Sequence, residues 1–259
     1  MGNRTGIEWT NVTWNPVTGC TQVSAGCDNC YALTLAHRLL STHYTRKPPE
    51  RDTPENRLDP FAVRLWPERL AEPDRWRGRQ RVFVNSMGDL FHTHIPDAFA
   101  RSVFEVMLRT NQHTYQVLTK RPSRMARFVA RNADLFVDGV VPPHIWLGTS
   151  VEDSRVAHRV DHLRLVNASV RFLSCEPLIG PLDIDLDGIH WVIAGGESGI
   201  HHRPLNLDWV RSLRDDCRRV GVPFFFKQVG GRTPKAGGRT LDGRTWSEYP
   251  NVGKAGLLA

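Results

Sequence analysis

Three cysteines, Cys20, Cys27 and Cys30, fall within one short stretch, and the chain has only two others, Cys175 and Cys217. Thiolates are ligands for zinc and for iron–sulfur centres, and short gaps between ligands let one turn of chain wrap one site. The count decides the chemistry. A closed structural zinc site takes four protein ligands, whereas three leave a position open for a reacting group. Ser24, Asp28 and Asn29 make the intervening chain polar and turn-like, which argues against three thiols packed as small hydrophobes. Gly19 and Gly26 each precede a cysteine, and would let the backbone bend around a bulky inorganic body.

A second set of polar residues follows a series of short apolar runs. Val82–Asn85 leads into Ser86, Gly88 and Asp89; Tyr115–Leu118 leads into Lys120 and Arg121; Ile145–Leu147 leads into Ser150 and Glu152. Val170–Leu173 leads into Cys175 and Glu176, Trp191–Ala194 into Glu197, and Pro223–Phe226 into Lys227. Glu176 and Glu197 are candidates for acid–base work and Lys227 for a catalytic or charge-bearing role, while His201-His202-Arg203 suggests anion contact. Gly195-Gly196-Glu197-Ser198-Gly199 suits either a phosphate cradle or a tight turn. Cys175 is a possible thiol partner, more simply a core residue, and Cys217 lies on the apolar face of a helix.

The apolar runs read as strands and the segments between most of them as amphipathic helices. Pro96–Arg109, Asp153–Val166 and Leu207–Val220 carry apolar residues at helical spacing. Residues 7–18 read as a first strand ending at Asn15-Pro16, and the segment after Cys30 as a helix. Near-continuous apolar strands alternating with helices predict a parallel sheet, here a full or partial (β/α) barrel of about six to seven strands, with a doubly wound open sheet as the alternative. The cysteines then share one rim with the other strand ends, where function gathers in parallel α/β folds. The expectation is one barrel-like domain over residues 1–259. It carries a Cys-rich loop at 19–31, a Pro-rich charged insertion or flexible excursion at 45–60, and a Gly-rich tail from Gly230 looping over one end.

The formal net charge of +7 favours a polyanionic partner, most often nucleic acid, with Lys120, Arg121 and Arg203 as candidate contacts. No apolar run is long enough to span a bilayer, so no membrane partner is expected. Five cysteines with three clustered argue against a disulfide framework and for a reducing cytoplasm.

The cysteine loop after a first strand resembles that of the radical S-adenosylmethionine enzymes. The stretches Ile7–Tyr31, Asp89–His92, Leu118–Pro122, Trp146–Asp153, Phe172–Pro181, Trp191–Gly199 and Phe224–Gly231 resemble a phage-associated, uncharacterised three-Cys-motif family, whose members are often encoded beside a partner protein. The first resemblance implies a 4Fe–4S cluster held by Cys20, Cys27 and Cys30, with S-adenosylmethionine chelating the open iron. It also implies an electron donor, and reductive cleavage of the cofactor to a 5′-deoxyadenosyl radical. By the same resemblance, Ser86, Gly88 and Asp89 would grip the cofactor's amino group, Ser150 and Glu152 its ribose, and Tyr31 its adenine. The first cysteine gap is longer than usual for such enzymes, and Asn29 stands where an aromatic residue is common. A zinc-bound nucleic-acid-binding protein, with His37 as fourth ligand, and a non-catalytic cluster-bearing subunit are the competing expectations.

Overall fold

The computed structural model describes residues 3–252. Its main sheet has eight strands: β1 (Asn3–Arg4), β2 (Val12–Trp14), β3 (Arg81–Val84), β4 (Thr114–Thr119), β5 (Val141–Ser150), β6 (Ala168–Cys175), β7 (Trp191–Gly195) and β8 (Phe224–Gln228). They lie side by side in chain order. β1 is an antiparallel edge, and β2 to β8 are parallel throughout. Every crossover therefore steps one strand in the same direction. Right-handed crossovers of that kind place all the helices on one face and leave the other to curl upon itself. The result is a half-barrel of seven parallel strands, as the alternation of strand and helix in the sequence predicts.

The two faces are sorted residue by residue. Val82, Val84, Tyr115, Val117, Ile145, Leu147, Val192, Ala194, Phe224 and Phe226 point outward into one core with the helices. α1 (Tyr31–Arg38) buries Ala32 and Ala36 in a separate small cluster with Tyr44, Phe61, Trp66 and Met87, and the helices of the outer core are α2 (Asp97–Arg109), α3 (Pro122–Arg131), α4 (Arg159–Arg164) and α5 (Leu207–Val220). Phe83, Trp146, Val170, Phe172, Trp191, Ile193 and Phe225 alternate with them and point inward. The inner cluster is aromatic enough to fill the hollow at the amino ends of the strands. Trp9 plugs it from one side, 4.6 Å from Phe83 and 6.3 Å from Trp191, and Tyr249 of the tail from below, 5.3 Å from Trp191. Gly148 is part of this fit: a Cβ there would lie 2.5 Å from the Phe172 ring. Continuing the same alternation toward the carboxyl ends, the inward positions become Lys120, Ser150, Ser174, Glu176 and Lys227. The hollow is apolar at its floor and polar at its mouth.

Three elements depart from the sequence expectation. The first strand covers only Val12–Trp14, and Val17–Thr18 pairs instead with Arg64–Leu65 in a separate ribbon. The 160s helix shortens to α4, preceded by a 3-10 turn at Ser154–Val156, because Asp153 caps that turn through Arg155 N–H. Residues 45–60 are built rather than loose. Arg64 is fully buried, and its guanidinium donates to the carbonyls of Lys47, Asn56, Asp59 and Ala62, which gathers the insertion around one side chain. The tail after Gly230 returns beneath the strands, where Trp191 donates to the Glu248 carbonyl.

Candidate active site at the carboxyl ends of the strands

Cys20, Cys27 and Cys30 are partly buried on the loop that leaves β2, at the rim where the other parallel strands end. Each of the two glycines makes room for neighbouring protein. Gly19 has φ +86°, and a Cβ there would sit 2.2 Å from the Ala62 carbonyl oxygen. A Cβ on Gly26 would sit 2.9 Å from the Glu152 carboxyl carbon. Gly88 backs the loop through a bridge to Gly19.

Three carboxylates from three different strand ends hold this loop. Asp89, after β3, accepts from Phe91 N–H, Thr119 hydroxyl, Lys120 N–H and the Arg121 guanidinium at 2.9 Å. Arg121 passes that tie to the loop, donating to the Thr21 carbonyl at 3.0 Å and to Cys20 Sγ at 3.4 Å. It stands just before Pro122, whose fixed φ starts α3 and leaves Arg121 outside the helix, at φ −123° and ψ 57°. Glu152, after β5, is 1% exposed; it pairs with Arg159 at 2.9 Å and accepts from Gly26 N–H at 3.2 Å. Glu197, after β7, accepts from Asn29 at 2.8 Å and from Arg203 at 2.7 Å, and Arg203 also donates to the Ala25 carbonyl. Burial pushes the Glu197 carboxyl up, but the donors from Arg203 and Asn29 outweigh it, and the net shift is downward.

The polar groups left facing the hollow are others. Tyr31 donates to the Ser86 carbonyl at 2.6 Å, which joins two of the expected cofactor residues. The Ser86 hydroxyl is 3.2 Å from Asn15 Oδ1. Lys120 Nζ lies 3.4 Å from Ser150 Oγ, and Lys227 Nζ is ion-paired with Glu176. Gly195 faces this last pair with no side chain; a Cβ would make ordinary contact with both. A small cleft of about 200 Å³ lies beside the loop, lined by Ser24, Glu152 and Arg155 among others, and Ser24 Oγ is buried with no partner among the described residues.

Other expected residues lie apart. The Gly195–Gly199 stretch is a close backbone approach rather than an open cradle: a Cβ on Gly196 would lie 1.9 Å from the Val229 carbonyl oxygen, and Gly196 N–H already binds Gln228. Cys175 and Cys217 are fully buried on the helix side of the sheet, and burial pushes both thiols up. His37 lies on the face of α1 and pairs with Asp59 at 3.5 Å. Sequence reasoning missed Arg159 and Thr119, which carry no motif, and Asn29, whose signal was its place beside Cys30. It also missed His92 as an anchor of the loop.

The donor set fits an iron–sulfur centre. Burial first, then Asp89, pushes the Cys20 thiol up to about 11, with the neighbouring Cys27 adding to it and Arg121 opposing. The loop by itself thus favours the thiol, and a bound cation is what would draw out the thiolate. Among the described residues, no three His, Cys, Asp or Glu side chains are arranged around one metal ion.

His92 fixes the first turn of the loop and gives a pH prediction. Its Nδ1 accepts from His94 N–H at 3.1 Å, so the neutral ring carries its proton on Nε2 and donates to Thr21 Oγ1 at 2.9 Å. Burial, with Arg121 and His94 adding, pushes its pKa down to about 4. An unfolded histidine titrates near ~6.5 and takes up a proton first as pH falls. The stability from this site is therefore complete above about pH 6.5 and lost as pH falls toward about 4. Denaturant titrations of wild type should show that acid slope, and His92→Asn should make it shallower by about one proton equivalent. An unchanged slope would place the acid sensitivity elsewhere.

The sequence matches, over residues 4–250, the family described as "Protein of unknown function (DUF5131)", and the chain belongs to that family. No curated protein matches it. Among solved structures it is similar to spore photoproduct lyase complexed with dinucleoside spore photoproduct, at 11% identity and a TM-score of 0.48, covering 85% of this chain and 64% of that one. A double mutant of that lyase with bound AdoMet and dinucleoside spore photoproduct matches at 12% identity and a TM-score of 0.46. The chain spans about two thirds of the length of these structures, 64% in each case.

Proposed function

We propose that this member of the DUF5131 family is an iron–sulfur protein of the radical S-adenosylmethionine type, acting on a nucleic-acid or nucleotide substrate. One observation carries the proposal. Three thiols stand on the loop after the first parallel strand, and carboxylates from three other strand ends hold that loop at the polar mouth of a half-barrel. A rigid, partly buried thiol set at the carboxyl ends of parallel strands is where a cofactor centre belongs in such folds.

Cys20, Cys27 and Cys30 would hold a 4Fe–4S cluster and leave one iron for the amino and carboxylate groups of S-adenosylmethionine. When bound, the pair supplies one-electron reductive cleavage of a sulfonium, with electrons from a separate donor protein. The chain's own residues divide into two groups. Glu152 and Glu197 accept directly from the loop and Asp89 reaches it through Arg121, which favours a positioning role for all three. Tyr31, Ser86, Lys120, Ser150, Glu176 and Lys227 line the mouth and are the groups left to bind cofactor and substrate. The Ser86–Tyr31 pair would meet the cofactor beside Cys30. Lys227 Nζ is ion-paired with Glu176, and an anionic substrate that draws Lys227 away would free the Glu176 carboxylate to face the substrate.

The test is titration of iron-reconstituted, reduced protein with S-adenosylmethionine, followed by the EPR signal of the cluster. A saturable change in that signal is expected, together with reductant-dependent 5′-deoxyadenosine. A cluster whose signal is indifferent to the cofactor would leave only the non-catalytic cluster-bearing role.

A further inference from the structure

A cleft lies at the other end of the half-barrel. It has a volume of about 670 Å³ and sits where β2 and β3 begin, lined by Arg4, Asn11, Arg75, Trp76, Arg77 and Gln80 together with Thr5, Thr10 and Val12. None of these residues is acidic. The segment that forms its outer wall reads Arg75-Trp-Arg77-Gly-Arg79-Gln-Arg81. Arginines elsewhere in the chain are repeatedly paired with carboxylates, as Arg57, Arg101, Arg109 and Arg164 are. Among the described residues, no ion pair involves Arg4 or any of the four arginines between 75 and 81. The closest acid in sequence, Asp74, is already spent on Arg109 at 2.7 Å. Arg4, Arg75, Arg77 and Arg79 are exposed and unpaired among the described residues, whereas Arg81 is partly buried and stacks on Tyr249 at 4.2 Å.

The geometry points to a second binding site, a cleft that takes the phosphate backbone of a nucleic-acid strand. Guanidinium forks match phosphate oxygens in two-point contacts, and unpaired arginines around a concave wall focus the field on an anion. Trp76 adds an aromatic surface and Asn11 and Gln80 add amides, the mixture that single-strand binding sites use beside their cations. The volume is that of a nucleotide-sized ligand rather than of a flat protein contact. The site is at the amino ends of the strands and the cysteines are at the carboxyl ends, so it binds rather than reacts. It would hold a long substrate, or the nucleic acid that carries it, while the mouth engages elsewhere.

The test uses the full chain and a short, fluorescein-labelled single-stranded oligodeoxynucleotide, with anisotropy read across a salt series. Wild type should bind with a logarithmic salt dependence. Arg75→Glu/Arg77→Glu should bind at least about tenfold more weakly, with the slope shallower by roughly 1.4 for two lost phosphate contacts. A charge-matched reversal on α5, Arg218→Glu/Arg219→Glu, should leave the slope in place. Cys27→Ser should bind like wild type, which separates this site from the cysteine centre whether or not that centre holds a cluster. Equal weakening by the two double variants would reduce the effect to net charge and overturn the assignment. So would loss of binding in Cys27→Ser. Binding to phosphatidylglycerol vesicles without binding to the oligonucleotide would assign the cleft to a membrane surface and overturn it as well.

Discussion

Anaerobically purified wild-type protein is expected to be brown and to contain iron and acid-labile sulfide, and Cys20→Ala, Cys27→Ala and Cys30→Ala are each expected to be colourless. The expected loss is close to complete because no other thiol can substitute. Cys175 and Cys217 face the helix-side core, fully buried. Cys217→Ala should therefore keep its full metal content while losing some stability to the small cavity it leaves. The three loop variants should stay folded, since Asp89, Glu152 and Glu197 tie the loop through Arg121, Gly26, Asn29 and Arg203 rather than through the sulfurs alone. Full iron in Cys27→Ala would end the idea of a single three-thiol centre. A colourless wild type with stoichiometric zinc would move the loop to the zinc alternative.

The sheet was legible in the sequence because its signal is repetitive. Val82–Asn85, Tyr115–Leu118, Ile145–Leu147, Val170–Leu173, Trp191–Ala194 and Pro223–Phe226 each announce a buried strand, and each overlaps one in the structure. Leu207–Val220 is the helix that its apolar spacing predicts, ended by Gly221 in left-handed backbone. The small ribbon of Val17–Thr18 with Arg64–Leu65 was not legible, because two-residue pairing leaves no periodicity. Nor was the order of the insertion: its Pro-rich, charged composition suits a flexible segment. The contacts of Arg64, which lies beyond it in sequence, organise it, with the Lys47–Glu68 ion pair and the bond from Glu50 N–H to the Val63 carbonyl adding to them.

At the site, residue type was legible and the hydrogen-bond partners were not. The strand-end rule brings Asp89, Glu152 and Glu197 to the rim with the cysteines, but it cannot tell which atoms are already taken. Each carboxylate is consumed by donors that are distant in sequence, such as Asn29 for Glu197. The inward set of Lys120, Ser150, Glu176 and Lys227 follows from a parity that the sequence does hold. Once Phe83 and Trp146 are known to point inward, every second residue along each strand is fixed. Which face is inner is a tertiary fact. The basic run from Arg75 to Arg81 was overlooked for a different reason: it lies before a strand, at the end of the barrel where α/β enzymes rarely place chemistry.

Glu152 offers the clearest separation between holding the loop and touching a ligand. It is 1% exposed, its partner Arg159 is 5% exposed, and the two are 2.9 Å apart. Glu152→Ala leaves a buried guanidinium without its counter-charge, a change that costs about 3–5 kcal/mol. For a chain of this size that corresponds to a melting temperature lower by roughly 10 °C. The same change removes the acceptor from Gly26 N–H, so iron retention by the loop should fall with stability. Glu152→Ala/Arg159→Leu should recover part of the lost stability, because the orphan charge goes while the tie to Gly26 stays broken; iron retention should not recover with it. A carboxylate that instead meets the ribose of the cofactor gives the opposite pattern. Its removal would weaken S-adenosylmethionine binding with melting left within about 1 kcal/mol of wild type, the cost of a lost cap. Thermal melts of the apo chain and cofactor titration of the reconstituted protein, run on the same variants, decide between them. An unchanged melt in Glu152→Ala would refute the positioning role.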